Sequence, residues 1–331
     1  MAAGKTKFVI YAAGIGNALV ALTKFGAAWW TGSSAMLSEA IHSLVDTVNQ
    51  LLLLYGIHRA ARPPDDLHPL GYGREIYFWS FVVALLMFTL GAGIACYEGV
   101  QHILNPYEII DPKVSYIVLA CAAVFEGASW FVALREFSEA KGDMGYFEAM
   151  RHSKDPPTFI VLFEDSAALI GLAIAFAGTF AAERLAMPVL DGVASIGIAL
   201  LLGLTALALA RESKELLLGE PASRSLRETV ISIVRGTPGI ERGQIVFTVH
   251  LSPDQVIVAL SLEFRDDLTT PEIEAATATL ERAIHEALPE VIAIFVKPQA
   301  VVPQSPAAFT KLGSKRRLSD LTRGSAKSAA R

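Results

Sequence analysis

A chain of 331 residues that is 53% hydrophobic and 18% charged, with a mean hydropathy of +0.44, is too apolar for an ordinary soluble domain, so most of its first two thirds is expected in lipid. The net charge of -5 and the pI near 5.8 argue against nucleic acid as a main partner. Two cysteines, Cys96 and Cys121, both inside apolar runs, support neither a disulfide framework nor a metal-thiolate cluster.

Six apolar segments of spanning length follow one another at about 8-29, 33-57, 75-99, 114-134, 158-181 and 188-210, since roughly 20 residues cross the hydrocarbon core. Lys5 and Lys7 precede a run from Phe8 to Trp30 that is too long for a signal-peptide core, so it reads as the first span and no cleavable leader is expected. Trp29 and Trp30 close it where an aromatic belt belongs. The connection Thr31-Gly32-Ser33 is short enough to make the first two spans an antiparallel hairpin. Within the first span, Lys24 is near enough to an end to snorkel or can serve as a counter-ion, and Asn17 is either a helix-helix contact or a site residue.

The second span carries the most information. At about 100° per residue, Ser38, Glu39, His42, Asp46 and Asn49 fall on one narrow face of an otherwise apolar helix. An ionisable group at mid-bilayer costs about 2.5 to 3.5 kcal/mol on insertion scales, so such a stripe points to an ion pathway or to mutual pairing. His42 and Asp46, one turn apart, offer an imidazole nitrogen and a carboxylate oxygen to one divalent cation, a mixture suited to zinc and its neighbours. The alternative is an interhelical His-Asp hydrogen bond, which leaves Glu39 unexplained.

The fifth span supplies partners in Glu164 and Asp165. Adjacent acids inside an apolar helix suffer both desolvation and repulsion unless a cation neutralises them. They lie about 100° apart around the helix, so one can serve a metal while the other takes a proton or a hydrogen bond. Glu98 in the third span reads as a solvated end residue, whereas Glu126 sits centrally in the fourth and stays open as a site residue. Between the second and third spans, prolines and glycines make a rigid turn around Asp65, Asp66 and His68, either a weak accessory metal site or a solvated loop.

Cations crowd one side of the spans: Lys5, Lys7, Arg59, Arg62, Arg74, Arg135, Lys141, Arg151, Lys154, Arg211 and Lys214, against Lys113 and Arg184 on the other. The positive-inside rule then puts both termini in the cytosol or its equivalent. Residues 1-215 are expected to form the membrane domain and 216-298 a small cytosolic α+β domain in the order αββαβ, with a mixed sheet close to a ferredoxin-like half. Its pieces are a helix over 223-239, strands over 244-251, 255-264 and 291-296, and a helix over 270-288. From 299 to 331, with Lys311, Lys315, Arg316 and Arg317, the composition predicts a disordered basic tail, solvated or in contact with anionic lipid.

Six spans, the His42-Ser-Leu-Val-Asp46 element, the acidic fifth span, the Asp65-Asp66-Leu-His68-Pro-Leu-Gly-Tyr-Gly-Arg74 loop and the αββαβ domain together resemble the cation diffusion facilitator family over residues 8-298. The string Glu164-Asp165-Ser-Ala-Ala-Leu-Ile-Gly171 is similar to the branch containing the mitochondrial zinc transporter nine proteins. The resemblance implies a homodimeric transporter that exchanges a divalent cation, usually zinc, for protons, with two ligands from each of spans two and five. His42, Asp46 and Asp165 match three of those positions, and the fourth falls on Val161. Glu164, Glu39, Glu126 or water would have to replace it, and the added oxygen shifts preference toward manganese or iron.

Asp65 and His68 match an accessory-site pattern of some members, with Tyr72 in place of a further histidine. Positions at which many members bind regulatory zinc fall on Gln244, Ser261, Phe295 and Lys297, so no binuclear zinc site is expected, the dimer is held by packing alone, and His250 and His285 are read as surface histidines.

The expected mechanism is proton-coupled antiport by alternating access: deprotonated His42, Asp46 and Asp165 bind the cation (Zn²⁺, or Mn²⁺, Fe²⁺ or Co²⁺), and protons displace it on the far side, with Glu164 as a second acceptor. The rival is a non-transporting scaffold or partner subunit, motivated by Val161. No His-Glu-x-x-His motif or nucleophile-base pair appears, so no enzyme and no resident cofactor are expected. Low cysteine use and the lack of a presequence lean toward a bacterial inner membrane.

Overall fold

The computed structural model describes residues 2–141, 145–146 and 155–299. The expected basic tail with Lys311, Lys315, Arg316 and Arg317 lies outside them, as do Arg151 and Lys154. Six long helices come first: α1 (Ala2–Thr31), α2 (Ser34–Ala60), α3 (Glu75–Leu104), α4 (Pro112–Lys141), α5 (Pro156–Leu185) and α6 (Val189–Leu218). Four of these contain a stretch long and apolar enough to cross a membrane, namely α3, α4 over Pro112–Arg135, α5 over Phe159–Leu185, and α6. The helices overrun the apolar segments because a 30-residue helix is about 45 Å long, against a hydrocarbon core of about 30 Å.

Local chemistry sets the entry to α2. Gly32 adopts φ +69, a left-handed conformation open to glycine, and the hydroxyl of Ser33 accepts from the Met36 N–H at 3.1 Å to cap the helix. Along α2 the polar stripe faces inward, with Ser38, Glu39, His42, Asp46 and Asn49 all buried, while Leu44, Val48, Leu51 and Tyr55 are exposed on the other faces. An apolar outer face and a polar inner face are what a lipid solvent selects. Within α3, Met87–Ala92 forms one π-helical turn that shifts the facing of everything after it, a change no hydrophobic period reveals.

Two apolar layers lie one above the other within the helices. One joins Leu53 of α2, Tyr77 and Met87 of α3, Phe159 and Leu162 of α5, and Leu209 of α6. The second joins Ala28 of α1, Met36 of α2, Ala122 of α4, Leu172 of α5 and Ile198 of α6. The polar stripe of α2 and the acids of α5 fall between them in both helices.

After α6 come α7 (Arg224–Gly236), β1 (Ile240–Ser252), β2 (Gln255–Phe264), α8 (Thr270–Ala287) and β3 (Val291–Pro298), with a three-stranded sheet in the order β1-β2-β3. A two-residue turn at Pro253-Asp254 joins the hairpin. The bonds Val256 N–H to Glu290 O and Gln299 N–H to Leu262 O run in step, so β2 and β3 are parallel and the sheet is mixed. The central strand is the most buried, from Val256 to Leu262. By contact the chain falls into two compact units, the first running to Ser223 with Thr248–Ile257 and Glu290–Ile292, the second holding Arg224–Phe247, Val258–Pro289 and the chain from Ala293.

Two expectations are corrected. Strand β1 starts at Ile240, directly after Gly239 at φ +88, rather than at Gln244. His250 is buried at 5% exposure, not a surface residue, because its strand position turns inward and its backbone N–H donates to Glu220 O at 3.1 Å. His285 is exposed as expected.

Candidate functional site

Helix α2 delivers the first half of the site. The His42 ring is fully buried, with Nδ1 3.2 Å from Oδ1 of Asp46. That proximity lacks hydrogen-bond alignment: both ring nitrogens of His42, Oδ1 of Asp46 and Oδ1 of Asn49 are buried without a hydrogen-bond partner. Buried polar atoms are nearly always satisfied, so unsatisfied atoms on four side chains of one helix face, Glu39 Oε1 among them, mark a place prepared for something other than a protein donor. The alternative of a simple His-Asp hydrogen bond is not what forms.

Helix α5 supplies the second half. Glu164 is 2% exposed and accepts from Asn49 Nδ2 at 2.6 Å, with the Asp46 carboxyl also in hydrogen-bonding range. Asp165 is 8% exposed and accepts from the Ser129 hydroxyl of α4 at 2.8 Å. The two acids thus turn to different partners, as the 100° step between them requires. Asp46 and Asp165 both line a cavity of about 10 Å³, bordered also by Asn17, Val20, Ser43 and Glu126, room for about one water-sized particle. Val161 packs against the apolar layer that contains Phe159 and Leu162.

The sequence candidates therefore gather at one level, but they do not close on one point. Among the described residues, no group of three or more His, Cys, Asp or Glu side chains is disposed to hold a metal ion.

Lys24 does not snorkel. It is fully buried, with Nζ 2.7 Å from Ser43 Oγ, 3.1 Å from Glu126 Oε1 and 3.3 Å from Glu39 Oε2. This accounts for two of the open candidates, Glu39 and Glu126, as partners of an internal ammonium. Asn17 borders the cavity.

In the α2–α3 connection, Asp65 is committed to its own turn. Oδ1 accepts from the Leu67 and His68 N–H groups at 3.0 and 2.7 Å, and Oδ2 accepts from the Tyr72 hydroxyl at 2.6 Å. The Tyr72 hydroxyl and these backbone bonds hold the Asp65 carboxyl below the usual carboxylate range. His68 lies 3.4 Å from Asp65 and against the Tyr72 ring, both side chains about half exposed.

Two residues that position the candidate site carry no sequence signal. Ser129 is one serine in an apolar helix, and only packing shows that it orients Asp165. Asp191, at the start of α6 and fully buried, accepts from Ser33 Oγ at 2.9 Å, Ser34 Oγ at 3.2 Å, the Ala35 N–H at 3.1 Å and Thr179 Oγ1 at 3.1 Å. It ties α5 and α6 to the N-terminus of the helix that carries His42, where a carboxylate also suits the helix dipole. A loop-adjacent aspartate at a helix start reads from sequence as a solvated cap.

Comparison with known proteins adds the following. The family described as cation efflux transmembrane domain matches residues 10–218. The human mitochondrial proton-coupled zinc antiporter SLC30A9 is 33% identical over 257 residues, 77% of this chain and 45% of that protein. Metal tolerance protein C4 of Arabidopsis thaliana is 34% identical over 255 residues, 76% of this chain and 54% of that one. The chain spans about half the length of these two relatives. The cation-efflux pump FieF of Shigella boydii is 27% identical over 293 residues, 86% of this chain and 90% of the pump.

Proposed function

The chain belongs to the cation efflux family, and from that premise we propose that it is a proton-coupled divalent cation antiporter, with zinc as the main substrate, working by alternating access as a homodimer. The observation that carries this reading is the fully buried His42 ring with neither nitrogen satisfied, facing Asp46 on its own helix and level with Asp165 and Glu164 on α5. His42, Asp46 and Asp165 are the proposed ligands, and Glu164 fills the position lost at Val161. One nitrogen and several oxygens suit zinc while leaving room for Mn²⁺, Fe²⁺ or Co²⁺. Two relatives carry metal in their names, one of them zinc with proton coupling.

In this reading α1 to α6 all span the bilayer, with α1 and α2 added to the four apolar helices. Arg59, Arg62, Arg74, Arg211 and Lys214 support termini on the cytosolic side. Residues 1-215 form the membrane domain, 216-298 a ferredoxin-like αββαβ dimerisation domain, and 299-331 a basic tail. Asp65 and His68 then shape the connection. A bacterial inner membrane is our reading of the location, supported by the match to the Shigella boydii pump along most of both chains. The relative named for mitochondria points to an organelle as the competing host.

The chemistry asked of the chain is modest. With the layer open to the cytosol, neutral His42 and ionised Asp46 and Asp165 take the cation; once the layer opens to the other side, protonation of the same groups releases it. The two apolar layers above and below are the natural gates. A second reading, a non-transporting partner subunit, is favoured by Val161, since a ligand position packed into an apolar layer holds no metal.

Metal-driven proton flux in proteoliposomes decides between them. With Zn²⁺, Mn²⁺, Fe²⁺ and Co²⁺ in turn, saturable flux is expected for the wild type and none for His42→Ala or Asp165→Ala, both still folded and dimeric. Retained transport in both variants would sink the site, and no flux in folded wild type would leave the partner-subunit reading.

A further inference from the structure

We infer that Lys24 is a specificity-determining residue: an internal ammonium that draws Glu126 out of the reach of the transported cation and so keeps the ligand set fit for zinc. This deepens the transporter reading and rests on it.

The polar layer holds five carboxyl groups, those of Glu39, Asp46, Glu126, Glu164 and Asp165, in a space where an acid-rich site would attract hard, oxygen-seeking cations. Lys24 is the cation placed among them by the chain itself. Its three N–H bonds find three acceptors, Ser43 Oγ, Glu126 Oε1 and Glu39 Oε2, all within 3.3 Å. Those acceptors come from α2 and α4, so one side chain of α1 ties three helices at the level of the site.

Position makes the pairing consequential. Glu126 borders the same small cavity as Asp46 and Asp165, so a free Glu126 would be an additional oxygen ligand there. Glu39 does not line that cavity: its Oε1 packs without a hydrogen-bond partner against α5, where a Cβ on Gly171 would lie 2.3 Å away. What remains for the cation is the imidazole of His42 with the carboxylates of Asp46, Asp165 and Glu164. Adding Glu126 would raise the oxygen share and the coordination number, which favours Mn²⁺ over Zn²⁺.

The test is the ratio of initial Mn²⁺ to Zn²⁺ flux in proteoliposomes for wild type, K24Q, K24Q/E39Q and K24Q/E126Q. The variant K24Q/E39Q removes one charge of each sign, so it frees Glu126 without changing the net charge of a buried cluster. The expected result is a rise of about tenfold or more in the ratio for K24Q and K24Q/E39Q, and a return to the wild-type ratio in K24Q/E126Q. An unchanged ratio in folded K24Q/E39Q, or the same rise in K24Q/E126Q, overturns the inference while His42-dependent flux in the wild type leaves the transporter standing. Loss of folded protein in all three variants gives Lys24 a structural part only and overturns it too. Wild type inert toward every cation overturns both readings.

Discussion

His42 and Asp191 are both completely buried, yet they use burial in opposite ways. His42 keeps its ring nitrogens unsatisfied, whereas Asp191 satisfies itself with two serine hydroxyls, a threonine hydroxyl and a backbone N–H. The first arrangement leaves two ring nitrogens open to a guest, and the second is structural glue. Asp191→Ala would strand four donors at once, and is expected to lower stability by about 1 to 3 kcal/mol, read as a lower melting temperature of the detergent-solubilised protein. If zinc is the cargo as proposed, its binding by that variant should weaken less than in His42→Ala, because the proposed ligands remain. An Asp191→Ala protein as stable as the wild type would mean that the α2 N-terminus is held elsewhere.

At the scale of elements, close approach does the positioning. Helices α5 and α6 meet where a Cβ on Gly178 would lie 2.2 Å from the Cβ of Ala194. This is the small-residue contact by which helices associate in lipid, where no hydrophobic drive separates one apolar face from another. Gly178→Val should therefore cost about 1 to 3 kcal/mol through overpacking and reduce transport by shifting Asp165, checked by melting and by flux.

Helix α8 is held by a different device. Thr269 and Glu272 form a capping box, and the Thr269 N–H and hydroxyl hold the Glu272 carboxyl below its ordinary range. A depressed carboxyl contributes stability above its unfolded pKa and loses it as pH falls through the folded value. The first turn of α8 should fray selectively as pH drops below about 4.5, seen as faster hydrogen exchange there after correction for intrinsic rates. Glu272→Gln should flatten that dependence.

For the whole molecule, the two apolar layers predict reciprocal access. With Cys96 and Cys121 replaced, a cysteine at Ala35 in one layer and another at Leu53 in the other should label in opposition with a water-soluble thiol reagent. Conditions that raise one rate, such as added Zn²⁺ or a pH step, should lower the other. Simultaneous rises at both positions would describe a pore and exclude alternating access.

Much of this was legible in the sequence because a membrane helix must show its polar residues against an apolar ground. The stripe of α2, the acids of α5 and the strand-helix order of the C-terminal segment were all visible from spacing alone. The spacing of His42 and Asp46 could state which face they share, but not whether they bond to each other, because two groups one turn apart can meet or diverge by a rotamer. Lys24 needed tertiary structure to become a counter-ion, and Glu39 and Glu126 needed it to be drawn from the site to Lys24, since their pairing joins residues up to 102 positions apart. Ser129 and Asp191 left no trace in the pattern for the same reason, since each acts through a neighbour on another helix, and the π-helical turn left none because it changes backbone hydrogen bonding without changing hydrophobic period. Composition and period determined the inward faces of α2 and α5, whereas only packing decided that Lys24, Asp191 and His250 are buried and which inward groups meet.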